Sequence, residues 1–266
     1  MDEATDFHDE SLALRGLLDD RMPAIQHLTT QFKQWTIADI VRHLHAWNQA
    51  ALLTAQGDAE YEQYFAPAIP FMEQGNVLAF ERARFGHLEG KDLLSEWWLG
   101  VEQVADTYRH IDPRRRLSWG GLHMGARSCI SARLMETWSH GQAIYDILGL
   151  ERRDTDRIRS IAVLGINTFQ WNFSVNGIQP PDERPTVRLI APSGAEWTWA
   201  NERSPDRIEG DAVAFCQVVT QTRHIADTSL TVVGETAVQW MAIAQCFAGP
   251  PSPPPAAGIR FRVTAS

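Results

Sequence analysis

Arg133-Leu134-Met135-Glu136-Thr137-Trp138-Ser139-His140-Gly141-Gln142 lies inside a longer helical pattern, Arg127 to Leu148. Its apolar stripe runs through Ile130, Leu134, Ile144 and Leu148, and Gly149 stops it. Residues four apart share a helix face, so Glu136 and His140 stand on one flank of that stripe, about 40° apart around the axis. A half-buried carboxylate there is costly alone, and a cation would satisfy it. Glu-x-x-x-His by itself is more often a surface pair, so a third donor is needed. One is available far upstream in His43-Leu44-His45-Ala46-Trp47. His43 lies on one edge of its own helical stripe and His45 on the other, and spacing does not choose between them. Two imidazoles and one carboxylate with a fourth position open form the donor set of a catalytic, not a structural, zinc site.

Working outward, residues 1–150 read as helical. Asp6 to Leu18 carries Phe7, Ser11, Leu14 and Leu18 on one stripe. Thr36 caps the next segment, with Asp39 at the capping-box position, and Ile37, Ile40, Val41, Leu44, Ala51 and Leu52 recur at helical spacing. Phe71 to Phe85 reads as a helix. Lys91 to His110 repeats the pattern through Leu94, Trp97, Trp98, Val101, Val104 and Tyr108, and ends before Pro113. Trp119-Gly120-Gly121 marks a tight connection, without the strand and helix context of a phosphate loop. Four antiparallel helices make a bundle, whose core commonly houses metal.

Residues 151–266 change character. A helical run, Ile158 to Phe169, is followed by the short strand-like runs Thr186–Ile190 and Glu196–Trp199 around Pro192-Ser193-Gly194, a hairpin. Asp211 to Thr222 and Glu235 to Phe247 read as helices, and Ser229–Val233 and Ile259–Val263 as strands. Gly249 to Gly258 holds five prolines and reads as a surface loop. The expected fold class is α+β, a helical bundle followed by a smaller α+β domain.

Composition narrows the function. At 266 residues with 44% hydrophobic residues, the chain can build two cores. Its net charge is −9, and no basic cluster exceeds Arg114-Arg115-Arg116. Nucleic-acid binding, which depends on neutralising phosphates, is therefore not expected. The three cysteines, Cys129, Cys216 and Cys246, offer neither a disulfide framework nor a Cys-x-x-Cys site, as in a reducing cytosol. The acidic Met1-Asp2-Glu3 start lacks a secretion pattern, and no apolar run approaches the roughly 20 residues that span a bilayer. A cytoplasmic protein without membrane partners is expected. The sequence does not fix the oligomeric state, and a homodimer is one expectation.

Trp35-Thr36-Ile37-Ala38-Asp39-Ile40-Val41-Arg42-His43-Leu44 resembles the second-helix signature of the DinB-like metal-binding four-helix bundles. The closer likeness is to the mycothiol-dependent maleylpyruvate isomerase branch. Arg133 to Gln142 and Ala244-Gln245-Cys246-Phe247-Ala248-Gly249-Pro250-Pro251 resemble an uncharacterised metal-binding subgroup of that branch. The resemblance implies a sterol-carrier-protein-like C-terminal domain, metal ligands at His43, Glu136 and His140, and a small thiol as cosubstrate. It also implies a second-domain arginine for a substrate carboxylate, in the region of Arg223. Ala143 departs from the pattern, because the subgroup tends to carry Asp there, an acid that would orient a ligand.

A divalent ion held in this way, expected as Zn²⁺ with Ni²⁺ or Fe²⁺ tolerated, keeps Lewis acidity and an exchangeable position. A thiol bound there ionises, adds to an activated double bond, allows rotation and leaves, which gives cis–trans isomerisation; adding without leaving, or displacing another group, gives S-transfer. None of the three cysteines is needed as a nucleophile. The substrate is then a small, carboxylated molecule in a cleft between the domains, with Trp47, Trp119 and Trp138 as candidate walls, Trp47, Trp119 and Arg223 as its candidate binding residues, and His123 and Arg223 as candidate catalytic groups. Metal-dependent hydrolysis of an amide or ester ranks second, because it needs a base beyond Glu136. A metal-stabilised, non-catalytic ligand-binding scaffold is the remaining alternative; His123 as a fourth ligand would favour it.

Overall fold

The stripes marked by the sequence become the interior of a bundle. The computed structural model describes residues 1–120 and 122–264 and divides into two compact units, Met1–Ile147 and Leu148–Ser266. In the first unit α1 (Asp2–Leu18) buries Phe7, Ser11, Leu14 and Leu18. After a short α2 (Met22–Ile25) comes α3 (Ile37–Gln56), buried along nearly its whole length. Three short helices follow, α4 (Asp58–Phe65), α5 (Ile69–Glu73) and α6 (Val77–Phe85), before the long α7 (Gly90–His110). A hairpin of β1 (Arg116–Trp119) and β2 (Leu122–Gly125) leads into α8 (Ala126–Ile147). Helices α1 and α3 each pack on both α7 and α8, which closes the four long helices into a bundle.

The start of α3 follows directly from its sequence. Thr36 Oγ1 accepts the Asp39 amide at 3.1 Å, and Asp39 Oδ2 accepts the Thr36 amide at 3.0 Å, a complete capping box. The buried Asp39 carboxylate also takes Arg82 of α6 at 2.6 Å and Arg42 at 3.2 Å. Burial alone would raise its pKa, but hydrogen bonds from Arg82 and Thr36 outweigh that and hold it below the usual carboxylate value. The cap of α3 is thereby clamped to α6.

The segment expected to be one helix from Phe71 to Phe85 is two. Gly75 adopts φ 66°, a left-handed conformation that ends α5, and α6 begins after Asn76. The restart lets α6 bury Phe80 and Glu81. The Trp119-Gly120 connection is the turn of the β1–β2 hairpin, with Gly120 at φ 57° and Trp119 opposite Leu122. Gly121, the other half of that expected connection, lies outside the described residues.

The second unit opens with α9 (Arg159–Asn167), which covers most of the helix expected from Ile158 to Phe169, and, after Thr168, with α10 (Phe169–Val175), which the pattern did not announce. The expected hairpin forms as β3 (Thr186–Ile190) and β4 (Glu196–Trp199), paired antiparallel. Next come β5 (Arg207–Asp211), which pairs parallel with β3, α11 (Ala212–Val219), β6 (Thr231–Val233) and α12 (Glu235–Ile243). The sheet order is β4-β3-β5-β6. Strand β5 escapes the pattern because Arg207-Ile208-Glu209-Gly210-Asp211 has one large apolar residue, where parallel strands are usually apolar runs. Helix α12 ends four residues before the expected Phe247, as Ala244 turns to ψ 130° and the Gln245 amide bonds to Asn172. The proline loop from Gly249 to Gly258 is held by side chains: Gln245 bonds to Pro250 and Ser252, and Gln221 to Ser252. No strand forms at Ile259–Val263, where Ile259 and Phe261 are exposed and no pairing partner runs alongside. The architecture is α+β, and among the described residues no helix is long and apolar enough to cross a membrane.

Candidate metal centre

Helices α3 and α8 bring the distant imidazole to the Glu/His pair. Glu136 Oε2 lies 3.2 Å from His43 Nε2 and 3.1 Å from His140 Nε2, and one donor atom from each residue falls within 4.8 Å of the others. Both histidines are buried, while Glu136 keeps some exposure. The ambiguity between the upstream histidines resolves in space, because His45 turns to the edge of the Phe85 ring at 4.8 Å. Two nitrogens and an oxygen converging from two helices suit a divalent ion of the zinc type.

A tight loop walls the site. Residues 31–34 make a turn closed by Thr30–Trp35 hydrogen bonds at 2.8 and 2.9 Å, with Lys33 and Gln34 at φ 47° and 58°. It stacks Trp35 parallel to His140 at 5.8 Å and sets Phe32 edge-on to the same ring at 4.7 Å. This wall had no sequence signal beyond the aromatic residues themselves.

Charge coupling within the cluster sets the protonation of its members. Burial opposes charge on His43, but Glu81 and Glu136 outweigh it and raise the pKa to about 9. Glu136 is held well below the usual carboxylate range, burial notwithstanding, by its hydrogen bonds to His140 and His43. His140 is lowered, chiefly by burial. A proton shared between His43 and Glu136 offsets the carboxylate charge in this buried place.

Glu81 was not foreseen. Its Oε1 accepts His43 Nδ1 at 2.7 Å and Trp47 Nε1 at 3.2 Å, and the residue is 1% exposed. Glu81 thus stands behind the His43 ring, on the side away from Glu136. Beneath the centre, the fully buried Arg133 donates to Asn48 Oδ1 and to the Leu44 carbonyl, both at 3.1 Å, and so joins α8 to α3.

The other expected residues are more scattered. Trp47 borders the centre, 6.1 Å from the His43 ring and 5.5 Å from the buried Trp119. Trp138 is fully buried in the bundle core. His123 is exposed on β2, with Nε2 3.3 Å from Ser118 Oγ, whose hydroxyl donates to Asp58 at 2.6 Å. It is not one of the three clustered donors. Arg223 lies in the second unit, half-buried, with Nη1 on the Thr222 carbonyl at 2.9 Å, and His224 accepts the Ala226 amide as a cap.

The family model of the mycothiol maleylpyruvate isomerase N-terminal domain matches residues 5–145. The chain belongs to this family. The matched region takes in His43, Glu136 and His140. Two relatives share 34% identity over 245 residues, 90% of this chain and 95% of theirs. They are the uncharacterized proteins MT0041 and Rv0036c of Mycobacterium tuberculosis, strains CDC 1551 and H37Rv. Among solved structures, the mycothiol-dependent maleylpyruvate isomerase has the same fold at 14% identity and a TM-score of 0.54, over 87% of this chain and 91% of that one. A mutant of that isomerase matches at 15% identity and a TM-score of 0.53, over 89% and 92%.

Proposed function

We propose that this chain is a divalent-metal enzyme that uses a small thiol for cis–trans isomerisation or S-transfer on a small carboxylated substrate. His43, Glu136 and His140 hold the metal, with Zn²⁺ as the ion best suited to the set and Ni²⁺ or Fe²⁺ as substitutes. The carrying observation is the convergence of these three donors within 4.8 Å on the bundle wall of a member of this family. When bound, the ion would supply Lewis acidity and favour the thiolate over the thiol.

The protein's own groups have distinct tasks. Glu81 fixes the His43 ring, and Trp35 and Phe32 pack on His140 and shield it from water. Trp47 and Trp119 offer an apolar wall beside the centre. Arg223 is the group proposed to grip a substrate carboxylate, on family resemblance, and His123 the group proposed to move a proton. Isomerisation then needs the thiolate to add to one carbon of an activated double bond, with the electron pair moving onto the activating group, rotation about the single bond, and return of the pair to expel the thiolate; S-transfer keeps the carbon–sulfur bond and takes up a proton or loses another group. The structural neighbour's name specifies mycothiol as its thiol and maleylpyruvate as its substrate, which supports this class.

Hydrolysis is the weaker reading. Glu136 is engaged by both imidazoles and Glu81 faces the far nitrogen of His43, so neither stands ready as a base for water. A thiol titration of the cobalt-substituted protein separates the readings. New sulfur-to-cobalt absorption that saturates supports thiol chemistry; an unchanged spectrum through excess thiol overturns it.

A further inference from the structure

The strongest unexplained feature of the first unit is a buried carboxylate with half of its bonding capacity unused. Glu81 Oε1 takes two donors, the His43 Nδ1 and the Trp47 Nε1, yet Oε2 is buried without any hydrogen-bond partner. A carboxylate oxygen removed from water without a donor is costly.

Geometry assigns the cost a purpose. Nδ1 and Nε2 lie on opposite sides of the imidazole ring. With Nδ1 donating to Glu81, Nε2 is the nitrogen that faces Glu136 and His140, and it would present its lone pair there once an ion displaced its proton. Glu81 therefore cannot ligate the ion that His43 Nε2 would hold; it stands behind the ring. Trp47 Nε1 steadies the acid, and the Asp39–Arg82 clamp anchors the neighbouring residue of α6 to the start of α3. The two helices that set the His43–Glu81 pair are thus tied together one residue away from the acid.

We propose that Glu81 is a positioning residue for the metal centre, fixing the His43 tautomer and ring orientation and strengthening it as a donor, with Trp47 holding Glu81 in place. This rests on the metal reading above. Acids behind metal-bound histidines typically contribute 10–100-fold in metal affinity.

The test uses the full chain, stripped of metal, titrated with Zn²⁺ against a chromophoric chelator and melted in parallel without metal. Glu81→Gln should bind Zn²⁺ about 10–100-fold more weakly than wild type, while the metal-free protein still melts in one cooperative transition. Trp47→Phe should weaken binding less. Affinity equal to wild type in Glu81→Gln overturns the inference and leaves the metal centre standing, whereas a wild-type chain that binds no Zn²⁺ overturns both. Should Glu81→Gln not fold, Trp47→Phe decides: weaker Zn²⁺ binding by a folded protein supports the inference, and unchanged binding overturns it.

Discussion

Two acids meet His43 from opposite sides, and they differ in how they arrive. Glu136 comes on α8, four residues before His140, on a long helix with an uninterrupted stripe. Glu81 comes on α6, nine residues long, restarted after a left-handed glycine in a stretch with no clean periodicity. The first is placed by helical repeat and can be read from spacing. The second is placed by a chain break and by a clamp between Asp39 and Arg82, neither of which leaves a periodic mark. Chemistry delivered by regular secondary structure is legible in a sequence; chemistry delivered by the interruptions between elements is not.

The clamp is where the two regions join, so breaking it should have the larger effect on stability. Asp39→Asn keeps a cap acceptor for α3 but loses the charge that holds Arg82 and Arg42. Hydrogen bonds to a charged group contribute about 1.5–3 kcal/mol, so a loss of about 2 kcal/mol is expected at neutral pH, read by denaturant unfolding. The sign with pH is set by the lowered pKa of Asp39 in the folded state. Its contribution is complete above the unfolded value, about 3.9, and is lost as pH falls through the lower folded value. Wild-type and Asp39→Asn stabilities should therefore converge in acid; a constant gap down to low pH would show that the charge is not what the clamp uses.

A smaller effect sharpens the role of the chain break. Gly75 has φ 66° and open space where a Cβ would stand, so Gly75→Ala introduces backbone strain without a clash. A cost of about 1–2 kcal/mol is expected from the left-handed conformation. Gly16, exposed in the last turn of the regular helix α1 with equally open space, is the control. There Ala should stabilise by about 0.5–1 kcal/mol. Opposite signs in thermal melts would support the break as a built feature; equal signs would contradict it.

The same division runs through the rest of the molecule. The stripes of α1, α3, α7 and α8, the Thr36–Asp39 box and the β3–β4 hairpin stand where periodicity and turn chemistry put them. The choice of His43 over His45 needed the family likeness, because both sit on stripe edges and only packing against Phe85 distinguishes them. Strand β5 was hidden by its polar residues, and the expected strand at Ile259–Val263 was an apolar alternation without a partner to pair with. The Phe32 and Trp35 wall depends on two non-glycine residues held at positive φ, which no local preference announces.

The central claim is that two distant helices share one cation. Metal content of the purified chain, measured beside His43→Ala and His140→Ala, tests it most directly. About one equivalent of a divalent transition metal in the wild type, lost in both variants while each stays folded by circular dichroism, is the predicted result. Equal metal in all three proteins, or none in the wild type after growth with zinc, would contradict it.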